Sequence, residues 1–167
     1  MQLGDGYSGL IVLKNQDSKP QDVKLYQTDY LFFSTGESFY GDPGENPRSN
    51  ADWIHMSTKR ITIPAGGSVN LNFRVDVPAE DPLIGSYWSV IMIESNPEES
   101  RDSSEADSGR LKVGLLQVIR YAYQVITNIG DTGSRMLSFT DAKLIMEEDK
   151  VILTLDVQST GERTMRA

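Results

Sequence analysis

Between residues 68 and 77 the chain reads SVNLNFRVDV, and nothing breaks its alternation. Val69, Leu71, Phe73, Val75 and Val77 stand against Asn70, Asn72, Arg74 and Asp76. Successive side chains of a strand point to opposite faces, so this segment has one face for a core and one for water. A helix would scatter the same residues around its axis, and no stretch of the chain shows the 3.6-residue period. The constraint is severe, because a strand with one apolar face folds only against a second layer.

The same period of two recurs along the chain. Residues 7–15 (YSGLIVLKN) and 22–32 (DVKLYQTDYLF) read as two strands separated by the turn-rich NQDSKPQ, and they are expected to form a hairpin. An irregular excursion rich in Gly, Pro and Asn follows over residues 34–52, with Phe39 and Tyr40 as its expected pins. Strands are expected at 60–63 and 68–77, around the turn 64–67. In GSYWSVIMIES (residues 85–95), Tyr87, Ser89, Ile91 and Ile93 alternate with Trp88, Val90 and Met92, so both faces are apolar. Such a strand needs cover on its second face as well, and another β-element is the expected cover. The Gly85-Ser86-Tyr87 step after Leu83 matches a tyrosine corner, in which a Tyr hydroxyl bonds upstream backbone. An acidic loop over residues 96–109 leads to the longest apolar run, RLKVGLLQVIRYAYQVITNI (110–129).

Strands of this length, broken by turn signals, imply an all-β fold: an antiparallel immunoglobulin-like β-sandwich spanning residues 1–128. Residues 129–167 add two more strands, about 138–146 and 150–157, around Glu147-Glu148-Asp149. A lone hairpin is marginal in water. This tail is therefore expected to be the first strands of a second sandwich, or a hairpin docked on the first domain or on a second copy.

Charge and composition exclude several functions. Net charge is −8 with no basic patch, and an acidic surface is repelled by phosphate backbones, so no nucleic-acid partner is expected. The chain contains no cysteine, which removes thiolate metal sites, a Cys nucleophile and disulfides. No apolar run approaches the length of a membrane span, and MQLGDGYSGL lacks the charged-then-apolar pattern of a signal peptide.

No catalytic constellation is expected. His55 is the only histidine, and no nucleophile motif surrounds it or the neighbouring Asp52 and Ser57. Glu94, Glu98, Glu99, Asp102, Glu105 and Asp107 carry oxygens that calcium could use, but their spacing does not match an EF-hand loop. They read as a solvated loop. No metal and no cofactor is expected, and the Gly-rich stretches near residues 3–9 and 40–52 read as turns because neither opens a helix.

The feature that points beyond packing is the segment 111–126. One face carries Leu111, Val113, Leu115, Ile119, Tyr121, Tyr123 and Val125, and the other includes Leu116, Val118, Ala122 and Ile126. A strand apolar on both faces suits β-strand addition, in which main-chain bonds give affinity and alternate pockets give specificity. The bland reading places the same strand in the middle of a sheet or under the tail.

YSGLIVLKNQDSKPQDVKLYQTDY, then ITIPAGGSVNLNFRVDVP and GSYWSVIMIES, resembles the first domain of bacterial pilus-chaperone-like (PapD-like) proteins and related fibronectin-III-like modules of the cell envelope. The shared elements are a strand ending in Asn-x-x-x-x-Pro, a Pro-Gly turn before an alternating strand, and a Pro-terminated strand ahead of the next. The resemblance covers about residues 7–128, and the tail resembles the opening strands of a following domain. Pilus chaperones begin with an extra strand bearing an arginine, and no such strand precedes Leu3. They also carry an Asp-Arg-Glu segment where this chain reads PAEDPL (78–83). A lysine on their last strand helps anchor a client, and Lys112 lies on the comparable strand here.

The resemblance implies a non-enzymatic protein-binding module, chaperone-like or scaffold, in a bacterial periplasm or on the cell surface, with pilus assembly as the associated process. Its partners would be other envelope proteins, taken up by strand pairing through Leu111, Lys112, Val113, Leu115, Ile119 and Tyr121. A homodimer is a further option, in which a second copy supplies a first strand. The alternative function is a surface or adhesion module that binds a cell-wall polymer or glycan through loop residues such as Trp53 or Tyr40.

Overall fold

The computed structural model describes residues 1–33, 35–79, 82–96 and 118–165. Ten strands follow one another: β1 (Gly6–Lys14), β2 (Gln21–Phe32), β3 (Ser38–Gly41), β4 (Ile54–Met56), β5 (Arg60–Ile63), β6 (Ser68–Asp76), β7 (Gly85–Ser95), β8 (Arg120–Ile129), β9 (Leu137–Glu147) and β10 (Lys150–Ser159). A single 3-10 turn, Ala51–Trp53, precedes β4. One sheet has the order β1-β6-β4, and the other has β3-β2-β7-β8 with β5 also paired to β2. All of these pairings are antiparallel.

The two sheets pack face to face over one apolar face of each. Ile11, Leu13, Ile54, Leu71, Phe73 and Val75 come from the first sheet, and Val23, Leu25, Ile63, Ile91, Ile93 and Val125 from the second. This is the expected antiparallel β-sandwich. At one end Val77, Tyr87 and Ile129 form a smaller cluster with Trp53 and Leu83 against it.

Three local expectations are corrected. β1 and β2 are not a hairpin, because β1 pairs with β6 and β2 with β7, in opposite sheets. The connection is an arch, held by Asn15. Its side-chain amide donates to the carbonyls of Lys19 (2.7 Å), Ile63 and Pro64 (both 3.2 Å). Asn15 therefore ties the arch to the turn between β5 and β6, which gives the Asn-x-x-x-x-Pro pattern a physical role.

The excursion after β2 is pinned by a carboxylate and not by its aromatics. Phe39 and Tyr40 are exposed. The buried Asp29 accepts from the backbone N–H of Gly44 (3.0 Å) and Asn46 (2.6 Å) and from the Ser49 hydroxyl. A buried carboxylate is tolerated because it is fully hydrogen-bonded.

Among the described residues, no β-element lies over the second face of β7. Val90 and Met92 are only 1% and 4% exposed, yet they lie on the outer side of their sheet. Their cover comes from neighbours in the same sheet: Thr28 and Gln124 flank Val90, and Tyr26 and Ala122 flank Met92. Trp88 closes the row, its indole N–H donating to the Tyr30 carbonyl at 2.9 Å. A central strand between large cross-strand neighbours can thus be buried on both faces by a single sheet.

The tail forms a separate two-stranded sheet, β9 with β10, with a register shift between Asp156 and Val157. Among the described residues no helix is long and apolar enough to cross a membrane.

Candidate functional site: the β8 edge

β8 is the last strand of its sheet, paired on one side with β7 from Gly85↔Ile129 to Glu94↔Arg120. No described strand pairs with its other side. An edge strand offers unpaired N–H and C=O groups along its length. At its far end the chain start meets the backbone: the Met1 ammonium donates to the Asn128 carbonyl at 2.9 Å, and the N–H of Gly130, just past β8, donates to the Met1 carbonyl at 2.6 Å.

Of the residues expected to bind a partner, Leu111, Lys112, Val113 and Leu115 lie outside the described residues. Ile119 is 46% exposed and Tyr121 is 64% exposed. Ile119 continues the pairing just before β8, its carbonyl accepting from Ser95 N–H at 3.0 Å. Tyr121 stands opposite Ile93, and Tyr123 opposite Ile91. Both tyrosines share the inward face with Val125. They reach an open margin of the sandwich, where Tyr123 meets the Phe73 ring edge-on at 6.2 Å. The edge therefore presents apolar inward-facing side chains beside free backbone.

A buried polar network fixes β8 from beneath. The Asn50 amide donates to the Thr127 hydroxyl (3.0 Å) and to the carbonyls of Val125 and Tyr87 (3.3 and 3.4 Å). Its oxygen accepts from the Ser89 hydroxyl at 2.6 Å, and the Tyr7 hydroxyl meets Thr127 Oγ1 at 3.2 Å. Sequence reasoning missed this group, because Asn50 lies in a stretch that reads as loop. Two hydroxyls at inward positions, Ser89 and Thr127, were the signal that a polar partner had to reach them.

At the other end of β8, on the outer face, Arg120 Nε donates to Glu94 at 2.6 Å and the Tyr26 hydroxyl donates to the same oxygen at 2.9 Å. Arg120 and then Tyr26 hold the Glu94 carboxyl below its ordinary range. Partial burial, then the bond to Glu94, raises the Tyr26 hydroxyl. A shallow groove runs beside them, lined by Tyr26, Thr28, Tyr40, Met92, Arg120 and Ala122 among others.

The remaining candidates have structural surroundings. Trp53 packs on Tyr87 with ring centroids 4.8 Å apart, and the Arg48 guanidinium lies 5.3 Å from the Tyr87 ring. Tyr87 is thus anchored by packing, and its hydroxyl makes no hydrogen bond among the described residues, unlike that of a tyrosine corner. Tyr40 stacks on Tyr30 at 5.4 Å. His55 Nε2 lies 3.7 Å from Asp76 Oδ2 on the outer face of the three-stranded sheet, where Arg74 already pairs with Asp76 at 2.5 Å. No group of three or more His, Cys, Asp or Glu side chains is placed to hold a metal among the described residues. Of the acidic loop, residues 97–109 lie outside those residues.

No protein-family model matches the chain, and no curated protein matches it in sequence. Solved structures do match in shape. The chain is similar to one from a chaperone–tip adhesin complex of CFA/I fimbriae biogenesis, at 14% identity and a TM-score of 0.52. That match covers 97% of this chain and 64% of the other. A second similar structure is the class 5 fimbriae chaperone CfaA, at 15% identity and a TM-score of 0.51, covering 94% of this chain and 63% of that one.

The fold is PapD-like.

In this PapD-like frame the tail is aligned as well, since nearly the whole chain is covered. The chain spans a little under two thirds of the length of the chaperone structures it matches.

Proposed function

We propose that this PapD-like chain is a non-enzymatic, chaperone-like protein-binding module of a bacterial envelope. It captures another envelope protein by β-strand addition along β8 and the residues that lead into it. The observation that carries the reading is the state of β8, an edge strand with one side unpaired among the described residues and Tyr121 and Tyr123 exposed on its inward face. A partner strand laid along that edge gains main-chain hydrogen bonds and buries its own alternate side chains against these rings. Leu111, Lys112, Val113, Leu115 and Ile119 precede β8 in the sequence and are the further residues proposed to meet the partner, and similarity to fimbrial chaperones supports an envelope setting.

The tail takes its place in this reading as the opening hairpin of a second sandwich. Leu144, Met146, Val151 and Leu153 project from one side of it and are exposed, as a face awaiting a second layer would be.

The test is capture from a bacterial envelope extract, read by mass spectrometry, with the unchanged chain beside Leu115→Lys and Tyr121→Lys. Both variants are expected to keep the melting temperature of the sandwich and to lose the captured protein. Equal retention by folded variants would overturn strand addition at this edge.

A further inference from the structure

The stretch after β10 turns back onto the sandwich, and its contacts are too specific for a trailing end. Glu162 accepts three hydrogen bonds. Its backbone carbonyl takes the N–H of Ser86 at 2.9 Å, and its carboxylate takes both the N–H and the hydroxyl of Ser134, at 2.9 and 2.8 Å. Arg163 is the second fastener. Its N–H donates to the Ser134 carbonyl (3.0 Å), and its guanidinium to the carbonyls of Thr132 (2.8 Å) and Gly130, with Asp131 3.4 Å away. Thr164 N–H then reaches the Ser86 hydroxyl at 3.2 Å, and that hydroxyl donates to the Asn128 side chain at 2.6 Å.

Two glycines make the seat. Gly85 has φ +79° and Gly133 has φ +76°, both in the left-handed region that glycine adopts without strain. A Cβ on Gly85 would collide with the Glu162 carbonyl, and one on Gly133 would come within 2.8 Å of the Gly85 Cα. The backbone there is packed against backbone, at a spacing that only glycine permits.

We propose that residues 160–165 are a clasp that fixes the direction in which the β9–β10 hairpin leaves the sandwich. Gly85 and Gly133 are its seat, and Glu162 and Arg163 are its fasteners. The clasp grips Gly130, just past β8, and Ser86, whose hydroxyl in turn holds Asn128 of β8, so the edge strand and the hairpin move as one body. Among the described residues β9 and β10 pack mainly on each other, so without the clasp the hairpin's orientation would be set chiefly by the linker 130–136.

The chain has no cysteine, so label sites can be chosen freely. Asn70→Cys on β6 and Thr154→Cys on β10, both exposed, carry spin labels for distance measurement by pulsed electron resonance. The otherwise unchanged chain is expected to give one narrow distance, and Gly85→Ala and Glu162→Ala are each expected to lose it while the sandwich melts at its usual temperature. Should Gly85→Ala fail to fold, Glu162→Ala decides alone, because the carboxylate it removes hydrogen-bonds to Ser134 of the linker. A broad distribution in the unchanged chain, or a narrow one kept in a folded Glu162→Ala, would overturn the proposal.

Discussion

β6 and β10 are strands of nearly equal length with nearly the same pattern, and they meet different fates. In β6, Leu71 and Val75 are completely buried; in β10, Val151, Leu153 and Leu155 stand largely in water. β6 faces a second sheet across the core, whereas β10 has only β9 beside it. Alternation thus decides which residues share a face, and a second layer decides whether that face is buried. The sharpest way to break the comparison is a matched truncation. Leu71→Ala is expected to cost about 2–5 kcal/mol, the range for emptying a packed core site. Leu153→Ala, from a side chain already 58% exposed, is expected to stay within about 0.5 kcal/mol. Urea unfolding of the two variants checks both. Equal losses would mean that the tail carries a core of its own.

Polar groups divide the two regions in a second way. The sandwich buries Asn50, Ser89 and Thr127 with every side-chain partner supplied, while the tail buries no polar group among the described residues. Asn50→Ala removes the one residue that both donates to Thr127 and accepts from Ser89. Leaving such groups unsatisfied costs about 1–3 kcal/mol each, so the variant is expected to rank just below Leu71→Ala in the same urea series. A loss no larger than that of Leu153→Ala would show that water replaces the amide and that the network is dispensable.

How much of this was legible depends on what each residue's role requires. The core of β6 was legible because burial in a sandwich follows from alternation: Leu71, Phe73 and Val75 were set on one apolar face before any pairing was known, whereas Ile91 and Ile93 shared a strand apolar on both faces. Pairing itself was not, since the turn residues 15–20 suit an arch as well as a hairpin, and only the reach of Asn15 to Ile63 and Pro64 selects the arch. The apolar second face of β7 suggested a covering layer, whereas among the described residues its neighbours are Thr28, Gln124, Tyr26 and Ala122 of the same sheet. Asp29 and Asn50 were invisible because a buried polar residue is recognised by its partners, and those partners are distant in sequence. Of the candidate binding surface, the double apolar face of residues 111–126 pointed to a strand in this part of the chain, but which margin of β8 no described strand pairs with follows from sheet order, which no local pattern encodes.

The smallest expected effect lies at the surface, where Glu94, Arg120 and Tyr26 meet beside the edge. Glu94 is held below its ordinary value of 4.5, chiefly by Arg120 and then by Tyr26. A carboxyl lowered by folding adds stability that is fully present above the unfolded value and is lost as pH falls through the folded one. Tyr26 is raised above its ordinary 10.0, by burial and then by Glu94, so its share is present below that value and is lost in strong alkali. The cluster therefore supports the edge across the whole neutral range. The measurement is the urea midpoint of the unchanged chain and of Glu94→Gln, followed from neutral pH into the ordinary glutamate range. The gap between them is expected to be small at neutral pH, because exposed ion pairs contribute little, and to close on acidification. A gap that widens as pH falls would mean that Glu94 is better tolerated protonated, and that Arg120 is not its principal partner.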